Sequence, residues 1–94
     1  MQNFSRFHLA GPLRWHEFNG QWVAFSTATG ALQHLDALSA SVLTLVEDSP
    51  ASASAVAERI SAATEVLLSD AMVSGIAAIL ADLHRNGFLE CQDL

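Results

Sequence analysis

Strand patterns first and helical patterns after predict an α+β fold: a winged-helix-like domain of one three-stranded antiparallel sheet followed by three helices. Three observations carry this. Strand-type stretches run over Arg14 to Phe18, Gln21 to Thr27 and Ala31 to Leu35. Asn19-Gly20 joins the first two as a tight hairpin. Three stretches with helical spacing of apolar residues follow, and the chain closes on Asn86-Gly87-Phe88-Leu89-Glu90.

Residues 1–13 read as an N-terminal tail, ended by Gly11-Pro12, and residues 14–94 as the domain. Phe4, Phe7 and Leu9 are apolar enough to dock the tail somewhere.

A two-residue type I′ turn needs positive φ at both central positions, which Asn19 and Gly20 tolerate. That register sets Phe18 opposite Gln21, His16 opposite Val23 and Arg14 opposite Phe25. Phe18, Val23 and Phe25 then share one face, expected to be the core face. Trp15, Trp22, Ala24 and Glu17 take the other. Two tryptophans on an outer face need a cover, from the tail or a dimer mate, or else form a binding surface; a cover is the favoured expectation. Thr27 to Gly30 make the second turn. Its length leaves open whether Leu32 and His34, or Gln33 and Leu35, face the core.

Asp36 is placed to cap the first helix, with Leu38, Val42, Leu45 and Val46 as its buried stripe. Asp48-Ser49-Pro50 ends it. A short second helix runs from Ser52 or Ser54 to about residue 63, with Val56 and Ile60 on one face. Ser69 caps the third, with Asp70 in its first turn and Met72, Ile76, Ile79, Leu80 and Leu83 as its stripe. Gly87 supplies a left-handed stop, and Phe88 and Leu89 return to the core.

The 94 residues are 51% hydrophobic and 15% charged, which suits one compact core. Formal charge is −6, and the basic side chains are Arg6, Arg14, Arg59 and Arg85 alone. A protein gripping duplex DNA commonly makes about 6–10 phosphate contacts with Lys and Arg, so nucleic acid is not the expected partner. No apolar run is long enough for a membrane span and the start lacks a signal-peptide layout. With a single cysteine, Cys91, a cytoplasmic location is expected and no membrane partner.

Catalytic chemistry is not indicated. Cys91 has no histidine placed beside it, and His8, His16, His34 and His84 form no HxxxH or CxxC arrangement. No phosphate-cradling glycine loop occurs. The chain is expected to be no enzyme and to hold no metal and no cofactor.

Surface geometry remains. A three-strand meander leaves an outer strand with unpaired N–H and C=O groups. An extended peptide can add there as a further strand, with main-chain bonds for affinity and pockets for selectivity. The third predicted strand, Ala31 to Leu35, contains no proline, and the third helix would form the other wall of a groove. Cover by residues 1–13 or by a second copy is an equal reading of that edge.

Trp15-His16-Glu17-Phe18, Gly20-Gln21-Trp22-Val23-Ala24-Phe25, Gly30, His34-Leu35-Asp36-Ala37-Leu38, Ser41-Val42-Leu43 and the closing Ile79-Leu80, Leu83 and Gly87-Phe88-Leu89 resemble PqqD-like proteins. PqqD is the peptide chaperone of pyrroloquinoline quinone biosynthesis, and the likeness is strongest to the subgroup encoded beside HPr-kinase-like ATP-binding proteins. It spans roughly residues 14–90, and its specificity lies in the order and spacing of short pieces. The resemblance implies the RiPP recognition element. That module binds the leader segment of a ribosomally made precursor peptide and presents it to a modifying enzyme, often a radical SAM protein. Carried over by position, the peptide would lie on Ala31, Leu32, Gln33, His34 and Leu35, against a helical wall of Val73, Ala77, Leu80 and His84. In this subgroup the resemblance implies no particular peptide.

The leading expectation is therefore a non-catalytic peptide-binding chaperone or adaptor. Its implied partners are a precursor peptide and a modifying enzyme, either radical SAM or HPr-kinase-like. The alternative is a structural or dimerisation subunit of an ATP-dependent complex, using the Trp15/Trp22 face. A homodimer stays open. Proline at Gln33 is expected to separate these readings.

Overall fold

The structure is a computed structural model that describes residues 5–92. Its elements run β1 (Arg6–Leu9), β2 (Leu13–Phe18), β3 (Gln21–Ser26), β4 (Leu32–Leu35), α1 (Ala37–Asp48), β5 (Ala51–Ser52), α2 (Ala53–Thr64), α3 (Asp70–Arg85) and β6 (Leu89–Gln92). The α+β class and the three helices are those expected from the sequence. Beside the expected β2-β3-β4 meander there is a second antiparallel sheet, ordered β5-β1-β6.

The hairpin register is the one that Asn19-Gly20 dictates: Phe18 pairs with Gln21, His16 with Val23 and Arg14 with Phe25. Both turn residues have positive φ, 49° and 80°.

The face of the meander turned toward the helices is the reverse of the expected one. Ala24 is fully enclosed, and Leu13 and Trp15 pack on the core. Phe18 is 52% exposed. Strand pairing puts Trp15 opposite Ala24, and Glu17 opposite Trp22 opposite Leu35. Side chains on one strand alternate faces, so Trp15, Trp22, Ala24, Gln33 and Leu35 share the helix side. Arg14, His16, Phe18, Val23, Phe25, Leu32 and His34 share the outer side. The physical reason is local. Leu35 immediately precedes the helix cap Asp36, and the chain there enters the helical layer, so Leu35 is drawn inward at 6% exposure. Val23, on the outer side, is nonetheless nearly closed off between its strand partners His16 and His34.

The sequence assigned residues 6–9 to a tail; they form the central strand of the second sheet. Arg6 to Leu9 pair with Leu89 to Gln92, and Arg6 and Phe7 pair with Ser52 and Ala51. Phe7 is buried, and His8 reaches Glu90 on the neighbouring strand at 3.1 Å. Gly11-Pro12 thus separates two strands.

The helices start where their caps direct. Asp36 accepts from Ser39 N–H, Ser52 from Ala55 and Ser69 from Met72, at 2.8, 3.2 and 3.1 Å. Each side-chain oxygen satisfies one of the four orphan N–H groups of a helix start. The core is built from Val42, Leu43 and Val46 of α1, Val56 of α2, and Ile76, Leu80 and Leu83 of α3, closed by Phe88. In α1, Leu43 takes the place expected of Leu38, which is 46% exposed. Gly87 adopts φ 93° and turns Phe88 and Leu89 back into the core. Among the described residues no helix is long and apolar enough to cross a membrane.

Candidate functional site

The candidate peptide edge is β4. It ends the β2-β3-β4 sheet, and among the described residues it pairs only with β3. Ser26 N–H donates to the Ala31 carbonyl at 2.8 Å, which makes that a hydrogen-bonded pair. Such pairs alternate along an antiparallel ladder. Gln33 and Leu35 therefore bond back to Ala24 and Trp22, while the N–H and C=O of Leu32 and His34 point to the outer edge. Edge groups of this kind are the template for strand addition.

The side chains at this edge divide. Leu32 and His34 are exposed on the outer face. Leu35 is core, and its main chain bonds back to Trp22, so neither its side chain nor its main chain faces a peptide. Gln33 is half-buried on the helix side, where its Oε1 accepts from the Asn86 side-chain amide at 2.9 Å. Ala31 is half-buried and lies near Gly87.

The expected helical wall is only partly surface. Leu80 is fully enclosed and cannot touch a peptide with its side chain; it belongs to the core. Val73 and Ala77 are half-buried and pack on that core. His84 is exposed, but its ring meets Phe7 of the second sheet edge-to-face at 6.3 Å. α3 packs mainly on α2, β6 and α1. Its link to the β4 region is its C-terminal turn, through Asn86 to Gln33 and through the Thr29 hydroxyl to the Gly87 carbonyl at 2.9 Å. Of the residues named from the sequence, the structure thus brings Ala31 to His34 together as an accessible edge and leaves the helix residues apart from it.

A second feature lies on the helix side of the meander. Trp15 and Trp22 meet edge-to-face, centroids 6.0 Å apart at 88°. They wall a cleft of about 940 Å³ whose other sides come from α1 and α2. Leu38, Leu45 and Ile60 add apolar walls, and Ala40 and Ser41 are small neighbours that leave the space open. The Trp15 indole N–H donates to Glu47 Oε1 at 3.3 Å, which ties β2 to the end of α1. The sequence placed the two tryptophans together on one face but on the outer side. A signal for the correct side was present: an apolar residue just before a helix cap commonly packs against the fourth helical residue. Here those positions are Leu35, in the core, and Ala40, packed against it.

The outer face carries a shallower hollow of about 490 Å³, lined among others by Arg14, His16, Phe18 and Leu32. The His16 and Phe18 rings lie 4.4 Å apart. Among the described residues no three His, Cys, Asp or Glu side chains gather as a metal site. Cys91 is exposed at the end of the second sheet. Asp36 caps the first helix with a carboxyl displaced toward acid. The backbone N–H of Ser39 and then its hydroxyl hold the carboxyl below its ordinary range, because both hydrogen-bond the charged form.

Comparison with family models, with curated proteins and with solved structures returns no match.

Proposed function

We propose that this chain is a non-catalytic adaptor that binds an extended peptide by strand addition along the outer edge of β4. The observation that carries the reading is the direction of the Leu32 and His34 main-chain groups at the end of a short sheet. The resemblance to PqqD-like proteins supports the same edge and suggests the leader of a precursor peptide as client, presented to a modifying enzyme. In this reading Leu32 and His34 lie where a peptide strand would run, and Gln33 sits behind it, fixed by Asn86. A net charge of −6 favours a basic client or a basic enzyme face. A cytoplasmic setting fits the single cysteine.

The test is capture of peptides from native-host lysate, read by peptide-level mass spectrometry, with wild type beside His34→Pro. Proline removes an outward N–H and adds bulk to the edge while leaving the ladder to β3 intact. A short encoded peptide held by wild type and lost by His34→Pro supports the proposal. The same peptides retained by both proteins would exclude the β4 edge.

A further inference from the structure

We infer that the Trp15/Trp22 cleft is a docking site for an amphipathic helix of a partner protein, one with an apolar face and basic flanks. The cleft is a surface separate from the β4 edge, and the inference stands whether or not that edge binds a peptide. Three features fit this occupant. The first is size: about 940 Å³ is near the top of the range of small-molecule pockets. The cleft is open, and a helix with side chains is about 10–12 Å across. The second is lining. Two tryptophans, Leu38 and Ile60 stand around small positions such as Ala40 and Ser41, which leave room for large anchor side chains. Trp22 and Leu38 are 39% and 46% exposed, and Val66, Leu67 and Leu68, just beyond the lining residue Thr64, are exposed as well. Exposed apolar groups of this density mark protein–protein surfaces, and a helix set in a groove uses apolar anchors one turn apart.

The third feature is charge, and it selects the partner. Glu47 lines the cleft, Glu17 is the strand partner of Trp22 on the same face, and Glu65 follows the lining residue Thr64. Arg59, which lines the cleft too, balances Glu47, so the excess of acid comes from Glu17 and Glu65 beside the lining residues. An acidic rim around an apolar floor is complementary to a helix with Lys or Arg beside its anchors. A second copy of this chain in the cleft would set acidic rim against acidic rim, which charge disfavours.

The test uses the full chain and two acetylated model helices without tryptophan, one of Leu and Lys, the other of Leu and Glu on the same apolar pattern. Both tryptophans of the chain line the cleft, so their emission reports occupancy directly. The Leu/Lys helix is expected to shift that emission to the blue and to bind at least about tenfold more tightly than the Leu/Glu helix, consistent with charge-based discrimination. Ser41→Phe fills the cleft from an exposed position and is expected to abolish the shift. The double reversal Glu17→Lys with Glu65→Lys, both exposed positions, is expected to invert the preference between the two helices. Equal binding of both helices, or binding by Ser41→Phe as strong as wild type, overturns the proposal. So does a dimer of the free chain in sedimentation velocity that Ser41→Phe dissociates, since the cleft then belongs to a second copy. His34→Pro is expected to leave the Leu/Lys helix bound, which keeps failure here distinct from failure at the β4 edge.

Discussion

The side-chain amide of Asn86 donates to Gln33 Oε1 at 2.9 Å and ties the C-terminal cap of α3 to the edge strand β4. With the Thr29 hydroxyl on the Gly87 carbonyl, it anchors one end of the edge while the main chain of Leu32 and His34 stays available. The bond also shows which way Gln33 points: inward, toward the helices. That direction changes how the edge should be probed.

Proline at adjacent positions of β4 is expected to act in opposite ways. Gln33 bonds back to Ala24, so Gln33→Pro breaks the ladder within the sheet. A loss of about 1–3 kcal/mol in urea unfolding is expected, because a buried partner is left unsatisfied. His34→Pro faces outward and should shift stability by less than about 1 kcal/mol. Equal destabilisation by the two variants would refute the ladder assignment. Proline at Gln33, which the sequence suggested as the probe, therefore tests folding more than binding.

Leu80 separates core from wall. It is fully enclosed among Ile76, Leu83 and Phe88 in the core cluster. Leu80→Ala should cost about 2–5 kcal/mol, the range for emptying a buried leucine site, measured by chemical denaturation. A surface groove residue would change stability by well under about 1 kcal/mol and change peptide affinity instead.

Much of the fold is legible because its signals are local. Asn19-Gly20 specifies the register of β2 and β3, and Asp36, Ser52 and Ser69 specify three helix starts. Part of what is not legible depends on distant partners. Arg6 to Leu9 alternate polar and apolar over four residues only, and their strand exists because Leu89 to Gln92, eighty or more residues away, pair with them. Phe18, Val23 and Phe25 are more apolar than Trp22, Ala24 and Ser26, so composition points to the wrong face of the meander. The inward face is set instead by where the chain goes after Leu35. For the candidate site, the edge residues Ala31 to His34 were readable, since an edge strand follows from strand order. Helical spacing puts Leu80 in the buried stripe of α3, as found, and only its added place in the peptide wall fails; spacing alone could not say that α1 and α2 would leave a cleft beside the tryptophans.

Phe7 tests the second sheet. It is buried in β1 and pairs with Ala51 and Cys91. Phe7→Ala is expected to cost about 3–5 kcal/mol, as for other buried phenylalanines, and to raise hydrogen exchange along β1 and β6. A docked but unneeded tail would lose little on the same change.

Asp36 gives the stability a pH dependence of known sign. Hydrogen bonds from Ser39 hold its carboxyl below the ordinary range in the folded chain. A lowered folded value means that the contribution is complete above the ordinary carboxylate range, about 3.9. It is lost as pH falls through the folded value. Asparagine keeps an acceptor for the helix start without titrating. Between about pH 6 and pH 2, spanning the ordinary value, wild type is expected to lose more stability than Asp36→Asn. Other carboxylates act in both proteins, so the difference between the two curves isolates Asp36. A difference that stays flat over that span would mean that the Ser39 bonds do not favour the charged form.

Ser26 carries the last prediction. Its side chain is wholly buried on the helix side of β3, and its hydroxyl has no hydrogen-bond partner among the described residues. Its backbone is occupied: N–H donates to Ala31 and C=O accepts from Gly30, each at 2.8 Å. An unpaired buried hydroxyl is costly relative to a methyl group of similar shape. Ser26→Ala removes the orphan oxygen and leaves both backbone bonds in place. The melting temperature is expected to rise, with a gain of about 1 kcal/mol. A loss of similar size would show that the hydroxyl is bonded in solution, and that the turn from Thr27 to Gly30 depends on it.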